Sequence, residues 1–378
     1  MLFAPSNSGN RVTAPRKIVI AGGGTGGHLF PGIAIAQEFM SRNSQNSILF
    51  VSTGNPFEKR ALSQAGFRLK EITAAGIKGM GRWRQLKSML KIPQGIIGSI
   101  RILKNFKPDL VAGVGSYAAG PVVMAAWLMR KKIVLHEQNI LPGITNRLLA
   151  RFADRIYVSF KDTQANFGPK KSKLTGNPVR KEILINHKQG LTAATGRESP
   201  FTVLIIGGSQ GAHSINLAVI ETLQYLGGKD RYRFIHQTGP VDEHEVKAAY
   251  DKSGIASTVK PFFDKMGHQY QKADLIICRA GATTVAEVTA IGKSVIFIPF
   301  PFAADNHQVV NARSLAQSGA AELILQKDLS GRLLAEKIEY YAYHSEDLER
   351  MASRARDFGR PRAAREIVDD IYELMSDN

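Results

Sequence analysis

At 378 residues the chain is longer than a single hydrophobic core usually spans, which predicts two domains, and its 44% apolar and 8% aromatic content excludes disordered, collagen-like and disulfide-scaffold classes. Lys and Arg outnumber Asp and Glu by 50 to 32, and the resulting formal charge of +18 calls for anionic partners: phosphorylated substrates, anionic lipid or nucleic acid. The lone Cys278 cannot close an intramolecular disulfide and reads as a buried thiol in a reducing compartment, and no apolar run reaches the roughly 20 residues of a membrane-spanning helix.

Residues 1–16 mix Ser, Asn, Gly and Arg with apolar residues, which reads as a flexible tail and not as a signal peptide. Lys17 to Ala21 is an apolar run entering a glycine cluster, and Phe30 to Met40 then has helical apolar spacing, giving strand, loop and helix. The loop is Gly22-Gly23-Gly24-Thr25-Gly26-Gly27-His28. Its backbone N–H groups and the helix dipole suit a phosphate or diphosphate, although a glycine cluster by itself also serves a tight turn. Gly22, Gly24 and Gly27 satisfy G-x-G-x-x-G, but the second strand ends in Val51-Ser52-Thr53-Gly54 without the acid that a dinucleotide needs; Glu58 lies past the turn. A Walker loop fails too, because His28 stands where Lys would follow the glycine. At a helix N-terminus His28 is disfavoured as an imidazolium and available as a base; a capping or core histidine is the plain alternative.

Ile48 to Ser52, Leu110 to Gly113, Ile133 to Leu135 and Ile156 to Ser159 are short β-rich runs between helix-compatible stretches, the period of βα units on a parallel sheet. From Ile72 to Pro108 there are eight Lys or Arg and no Asp or Glu, interleaved with Trp83 and several Ile, Leu and Met residues, which suits an anionic membrane surface or a solvated basic face. Gly113, Gly115 and Gly120 form a second glycine cluster after a strand, and His136-Glu137-Gln138-Asn139 follows another. Arg180, after Gly176-Asn177-Pro178, is a candidate bidentate phosphate ligand or a linker charge.

The polar stretch 186–200 is the expected linker, dividing the chain into 17–185 and 201–378. Phe201 to Ile206 enters a third glycine cluster, Gly207-Gly208-Ser209-Gln210-Gly211, before a helix expected over Ser214 to Leu226; Phe234 to Gln237, Leu275 to Cys278 and Val295 to Ile298 continue the strand pattern. Each half therefore reads as a doubly wound α/β domain, and glycine loops at strand carboxyl ends in both halves point to a ligand cleft between them. The last helix, Pro361 to Met375, carries Ile367, Ile371 and Leu374, without showing which half it covers. With no Asp-x-Asp and no zinc-spaced Cys and His, no metal or other cofactor is expected, and diphosphate charge falls to helix N-termini, loop amides and an Arg.

Taken together, Gly23-Gly24-Thr25-Gly26-Gly27-His28 with Pro31-Gly32, His136-Glu137-Gln138-Asn139, Gly176-Asn177-Pro178-Val179-Arg180, Gly207-Gly208-Ser209-Gln210-Gly211-Ala212 and Arg279 to Glu287 resemble the MurG family, from about Lys17 to beyond Ala320. The resemblance implies a GT-B fold of two Rossmann-like domains facing across a cleft, and an inverting transfer of N-acetylglucosamine from UDP-N-acetylglucosamine to lipid I, giving lipid II. It implies the acceptor and membrane mainly on residues 17–185 and the donor mainly on 201–378, with the protein peripheral on the cytoplasmic face of the bacterial inner membrane. By motif position it places Thr25, Gly26, Gly27 and Asn139 on the sugar and diphosphate side, and Arg180 and Ser209 facing the donor. Phe263 falls at a backbone contact to uracil, and Ala282, Thr283, Thr284, Val285, Ala286 and Glu287 along the nucleotide, where Glu287 can accept both ribose hydroxyl hydrogens. Gln308 falls where the family reads sugar hydroxyls; His307 stands in place of a Gln that the family often has before it. His28 is the expected base, or a diphosphate or acceptor contact. The nearest alternative is another UDP-sugar enzyme on this fold, a different lipid-directed transferase or a UDP-GlcNAc 2-epimerase. A nucleic-acid partner is not expected, because the basic face offers Trp83 alone for base stacking.

Overall fold

The computed structural model describes residues 14–74, 82–189, 199–208, 210–303 and 306–376, excepting the side chains of 82–91 and 186–189. Seven strands, β1 (Lys17–Ala21), β2 (Ser47–Ser52), β3 (Arg68–Glu71), β4 (Leu110–Gly113), β5 (Lys132–Glu137), β6 (Arg155–Val158) and β7 (Ser172–Leu174), form a parallel sheet in the order β3-β2-β1-β4-β5-β6-β7. A second parallel sheet is built from β8 (Phe201–Ile206), β9 (Tyr232–Gln237), β10 (Ala256–Lys260), β11 (Leu275–Cys278), β12 (Ser294–Phe297) and β13 (Glu322–Leu323), ordered β10-β9-β8-β11-β12-β13. Central strands such as β8 are buried throughout, as expected where helices cover both faces of a parallel sheet. The edge strands β3 and β10 are mostly exposed and polar, so the apolar-run signal does not mark them.

Strand order reverses between β1 and β4 in the first sheet and between β8 and β11 in the second, and open α/β sheets bind ligands at the carboxyl ends of such switch points. The three glycine clusters lie there. The helix Gly26–Arg42 buries Leu29, Ile33 and Ala36 at helical spacing and contains Pro31, which cannot donate to the carbonyl four residues back, Gly27. Thr283 from the second half supplies that bond instead, its hydroxyl donating to the Gly27 carbonyl at 3.0 Å across the cleft.

The chain leaves the first core after β7, and Val179 and Ile183 already pack with Leu204 and Ile276 in the second. The passage between cores therefore precedes the polar stretch 186–200 expected as the linker, because the helix Lys181–Gln189 has an apolar face that the second core buries; 190–198 lie outside the described residues. The helix Ala363–Ser376 returns to the first sheet, where Ile367, Val368 and Ile371 join Ile18, Phe39 and Phe50. It is pinned by Asp370, which accepts from the Tyr157 hydroxyl at 2.8 Å and pairs with Lys173 at 2.7 Å.

Candidate active site

The first glycine loop is held from behind by a residue with no expected role. Glu58 is fully buried and accepts from Ser52 Oγ at 2.6 Å, from the Asn55 N–H at 2.9 Å and from the Gly24 N–H. Asn55 and Glu58 also form the capping box of the helix Pro56–Gln64, so one short motif starts a helix and shapes the loop. At the end of the same loop, His28 turns inward until its Nδ1 lies 3.1 Å from the Val114 carbonyl and 3.1 Å from Gln138 Oε1. Both partners are acceptors, so Nδ1 carries the hydrogen and Nε2 keeps the lone pair. Gly115, at φ +91°, permits this approach, since a Cβ there would stand 2.7 Å from His28 Nδ1. Burial lowers the His28 pKa below its ordinary value, opposed by Glu137 and by the bonds to Gln138 and Val114.

Across the cleft Glu287, nearly buried, accepts from Arg180 at 3.1 Å and from the Tyr270 hydroxyl at 2.9 Å. Arg180 also lies over the Phe30 ring, 3.9 Å from its centroid, so its guanidinium is fixed at the boundary between the halves. The Phe263 N–H donates to Gln237 Oε1 at 3.0 Å. Gln308 Oε1 accepts from the Phe300 N–H at 2.9 Å. Arg279 donates to the carbonyls of Ile298 and Pro299, to Ser214 Oγ and to Gln326 Oε1, all neutral oxygens, and burial pushes its pKa down to about 10.

These groups enclose a cleft of about 860 Å³ between the halves. Of the residues expected from sequence, Thr25, Gly26, Gly27, His28, Asn139, Arg180, Phe263, Ala282, Thr283, Thr284, Glu287 and Gln308 line it. Val285 and Ala286 do not: helical rotation turns them toward a smaller cavity of about 300 Å³ near Asn177 and Arg360. Ser209 lies outside the described residues, between Gly208 and Gln210, which both line the cleft. His136 and Glu137, expected just past a strand, are its last two residues, because β5 pairs with β6 through Glu137. Glu137 spends its carboxylate on the loop that follows, accepting from the N–H groups of Asn139 and Gly143 and from the Asn146 amide. Sequence reasoning missed Gln138, Arg279 and Tyr270 as cleft residues; the first two sit inside motifs already singled out, while nothing local marks Tyr270.

Among the described residues, four helices of ten or more residues begin at the cleft: Gly26–Arg42, His213–Thr222, Ala282–Ile291 and His307–Gln317. None has a side-chain cap bond or an acid in its first turn. Elsewhere the helix Pro56–Gln64 has its capping box, and Glu243–Ser253 carries two acids in its first turn. The positive ends of four dipoles are thus left to one shared space, which suits a diphosphate. Among the described residues, no group of three or more His, Cys, Asp or Glu is placed to hold a metal ion.

The glycosyltransferase family 28 N-terminal domain matches residues 18–158 and the family 28 C-terminal domain matches residues 202–367. The chain is 48% identical over 356 residues, 94% of its own length and 97% of the relative's, to the UDP-N-acetylglucosamine--N-acetylmuramyl-(pentapeptide) pyrophosphoryl-undecaprenol N-acetylglucosamine transferase of Geotalea uraniireducens. Among solved structures, Acinetobacter baumannii MurG superposes with a TM-score of 0.74 at 30% identity, covering 95% of this chain and 100% of that one. A UDP-GlcNAc 2-epimerase from Neisseria meningitidis superposes with a TM-score of 0.66 at 15% identity over 94% of this chain and 99% of its own, a likeness of fold alone.

Proposed function

The chain belongs to the MurG family within glycosyltransferase family 28, and from that membership and the cleft we infer how it works. It is a GT-B enzyme that transfers N-acetylglucosamine from UDP-N-acetylglucosamine to undecaprenyl-pyrophosphoryl-N-acetylmuramyl-pentapeptide, lipid I, giving lipid II in peptidoglycan synthesis. The α-linked donor gives a β-linked product by one in-line displacement. The acceptor oxygen bonds to the anomeric carbon as the bond to the β-phosphate oxygen breaks, and that electron pair leaves on UDP. His28 takes the acceptor hydroxyl proton at Nε2, the nitrogen left bare when Nδ1 donates to Val114 and Gln138.

The observation that carries this reading is the meeting of four uncapped, acid-free helix starts at the cleft that His28 lines. Their N–H groups and Arg180 stabilise the growing charge on the leaving diphosphate. Thr25, Gly26 and Gly27 serve the sugar and diphosphate side with Asn139 nearby, and Ser209 faces the donor. Phe263 meets uracil through its carbonyl, Ala282 to Thr284 run along the nucleotide, Glu287 takes the ribose hydroxyls and Gln308 the sugar hydroxyls. The half built on the first sheet carries the acceptor and the half built on the second carries the donor. The basic, apolar segment from Ile72 to Pro108 docks on anionic lipid, supported by exposed Ile92 and Ile97; residues 75–81 and the side chains of 82–91 lie outside the described residues. Among the described residues no helix is long and apolar enough to cross a membrane. We place the protein peripherally on the cytoplasmic face, with its positive charge directed to lipid and diphosphate and not to nucleic acid.

Incubation with UDP-N-acetylglucosamine and a lipid I analogue should add one N-acetylhexosamine to the acceptor by mass, and His28→Ala should slow this by about a hundredfold or more. Epimerised donor with an unmodified acceptor would contradict the transferase reading; full activity of the variant would remove His28 from the base role.

A further inference from the structure

Behind His28 lies a chain of buried polar side chains that the displacement itself does not use. Gln138, 1% exposed, points its Nε2 at the Val114 carbonyl, 2.8 Å away, and at His136 Nδ1, 3.1 Å away, while its Oε1 faces His28 Nδ1 at 3.1 Å. A carbonyl can only accept, so the amide nitrogen must face Val114 and the amide oxygen must face His28. The sense of every other bond follows. His28 donates from Nδ1. His136 receives an amide N–H at Nδ1, so its hydrogen sits on Nε2, which donates to the Gly176 carbonyl at 3.3 Å. His136 is 2% exposed, and burial pushes its pKa down to about 4, so it keeps one hydrogen and one lone pair at neutral pH.

The far end of the chain is not an arbitrary carbonyl. Gly176 lies in the segment that passes from the first core to the second, at φ +89°, where a Cβ would overlap the Arg360 side chain of the returning passage. The charged or titratable groups facing His28 are Glu137, committed to the loop 139–146, His307 from the helix His307–Gln317, and His136 at the far end of the chain itself. The groups bonded to His28 Nδ1 are Val114 and Gln138.

We propose that Gln138 and His136 are positioning residues for His28, a one-way chain of hydrogen bonds that holds its ring in the tautomer with a bare Nε2 and ties it to the interdomain passage at Gly176. A reversed Gln138 amide would press N–H groups against Nδ1 and drive the hydrogen to Nε2, the form that cannot take a proton from the acceptor. His136 guards against that reversal by offering the amide a second acceptor. The proposal rests on His28 being the base, and its test reads tautomer and rate separately.

Ring 1H–15N spectra of the full-length protein labelled with 15N-histidine, with His28 assigned by its loss in His28→Ala, should show the hydrogen on Nδ1 at neutral pH. In His136→Phe and in Gln138→Leu, each checked by thermal melting, the His28 signals should move toward the Nε2–H form. The kcat should fall about tenfold or more with KM for UDP-N-acetylglucosamine within about threefold. The double variant should be no slower than the worse single variant, because both break one chain. A parent His28 protonated on Nε2, an unmoved tautomer in both folded variants, or rate losses that multiply would overturn the chain. A tautomer that moves while kcat holds supports the chain and refutes the assignment of His28 as base.

Discussion

Glu287 holds two donors at once, Arg180 on one oxygen and Tyr270 on the other, and its partners come from positions 107 and 17 residues away. A carboxylate buried to this degree is tolerable only because both oxygens are bonded. Glu287→Ala therefore strands the nearly buried Arg180 and, in the role we propose, also removes a ribose acceptor. We expect UDP affinity to fall by about 1.5 to 3 kcal/mol, roughly 10- to 150-fold in Kd, by calorimetry. An unchanged Kd would remove Glu287 from the donor site. His28 gives a second expectation. In the role we propose its neutral form is the base, and burial lowers its pKa so that it stays neutral further into acid; the acid limb of the kcat profile should then be centred below pH 6.5. A limb centred at or above 6.5 would contradict this. Residue identity at both positions is legible in motifs, but the bonds that set their chemistry are not. Nothing in the order of residues pairs 180 with 287, or 28 with 138.

At the scale of elements, strand centres such as Lys17–Ala21 and Leu275–Cys278 announce themselves as apolar runs, because two helical layers bury them. The strands Arg68–Glu71, Ser172–Leu174, Ala256–Lys260 and Glu322–Leu323 do not, since all four lie at sheet edges, where a strand is short or partly exposed and polar. The uncapped starts of the four helices that meet at the cleft were not read from sequence; the structure shows that none has a side-chain cap bond or an acid in its first turn. The helix Arg82–Phe106 carries the membrane reading. Replacing Arg82, Arg84 and Lys87 with Gln should remove roughly 3 kcal/mol of attraction if all three lie near the lipid, lowering binding to anionic vesicles by about a hundredfold. Added salt should weaken the parent in the same direction, and activity on a short-chain, water-soluble acceptor should persist, because the cleft is untouched. Equal co-sedimentation of variant and parent at low salt would reduce the segment to a solvated basic face.

At the scale of the molecule, two buried neutral histidines make stability depend on pH. His136 is pushed down to about 4 and His236, bonded to Tyr250 and Asn216, to about 3, mainly by burial. In the unfolded chain both titrate near 6.5, so below that value the unfolded state binds protons that the folded state refuses. Stability from these groups is thus complete above about pH 6.5 and is lost as pH falls toward 4, at about 1.4 kcal/mol per pH unit for each histidine. Thermal unfolding followed from pH 7.5 to 4.5 should show this fall, and His236→Gln should flatten it; a slope identical to the parent's would count against the histidine. The sequence by itself determined the doubly wound class of each half and the glycine loops suited to a diphosphate, because apolar periodicity and loop composition act over a few residues; the donor came from the resemblance of its motifs to the MurG family. The tertiary structure alone decided that the passage between cores precedes the polar stretch 186–200, that the helix Ala363–Ser376 returns to the first sheet, and that Thr283 bonds to the carbonyl Pro31 leaves free. Those outcomes depend on which surfaces meet when two cores close on each other, and that is a property of distant residues taken in pairs.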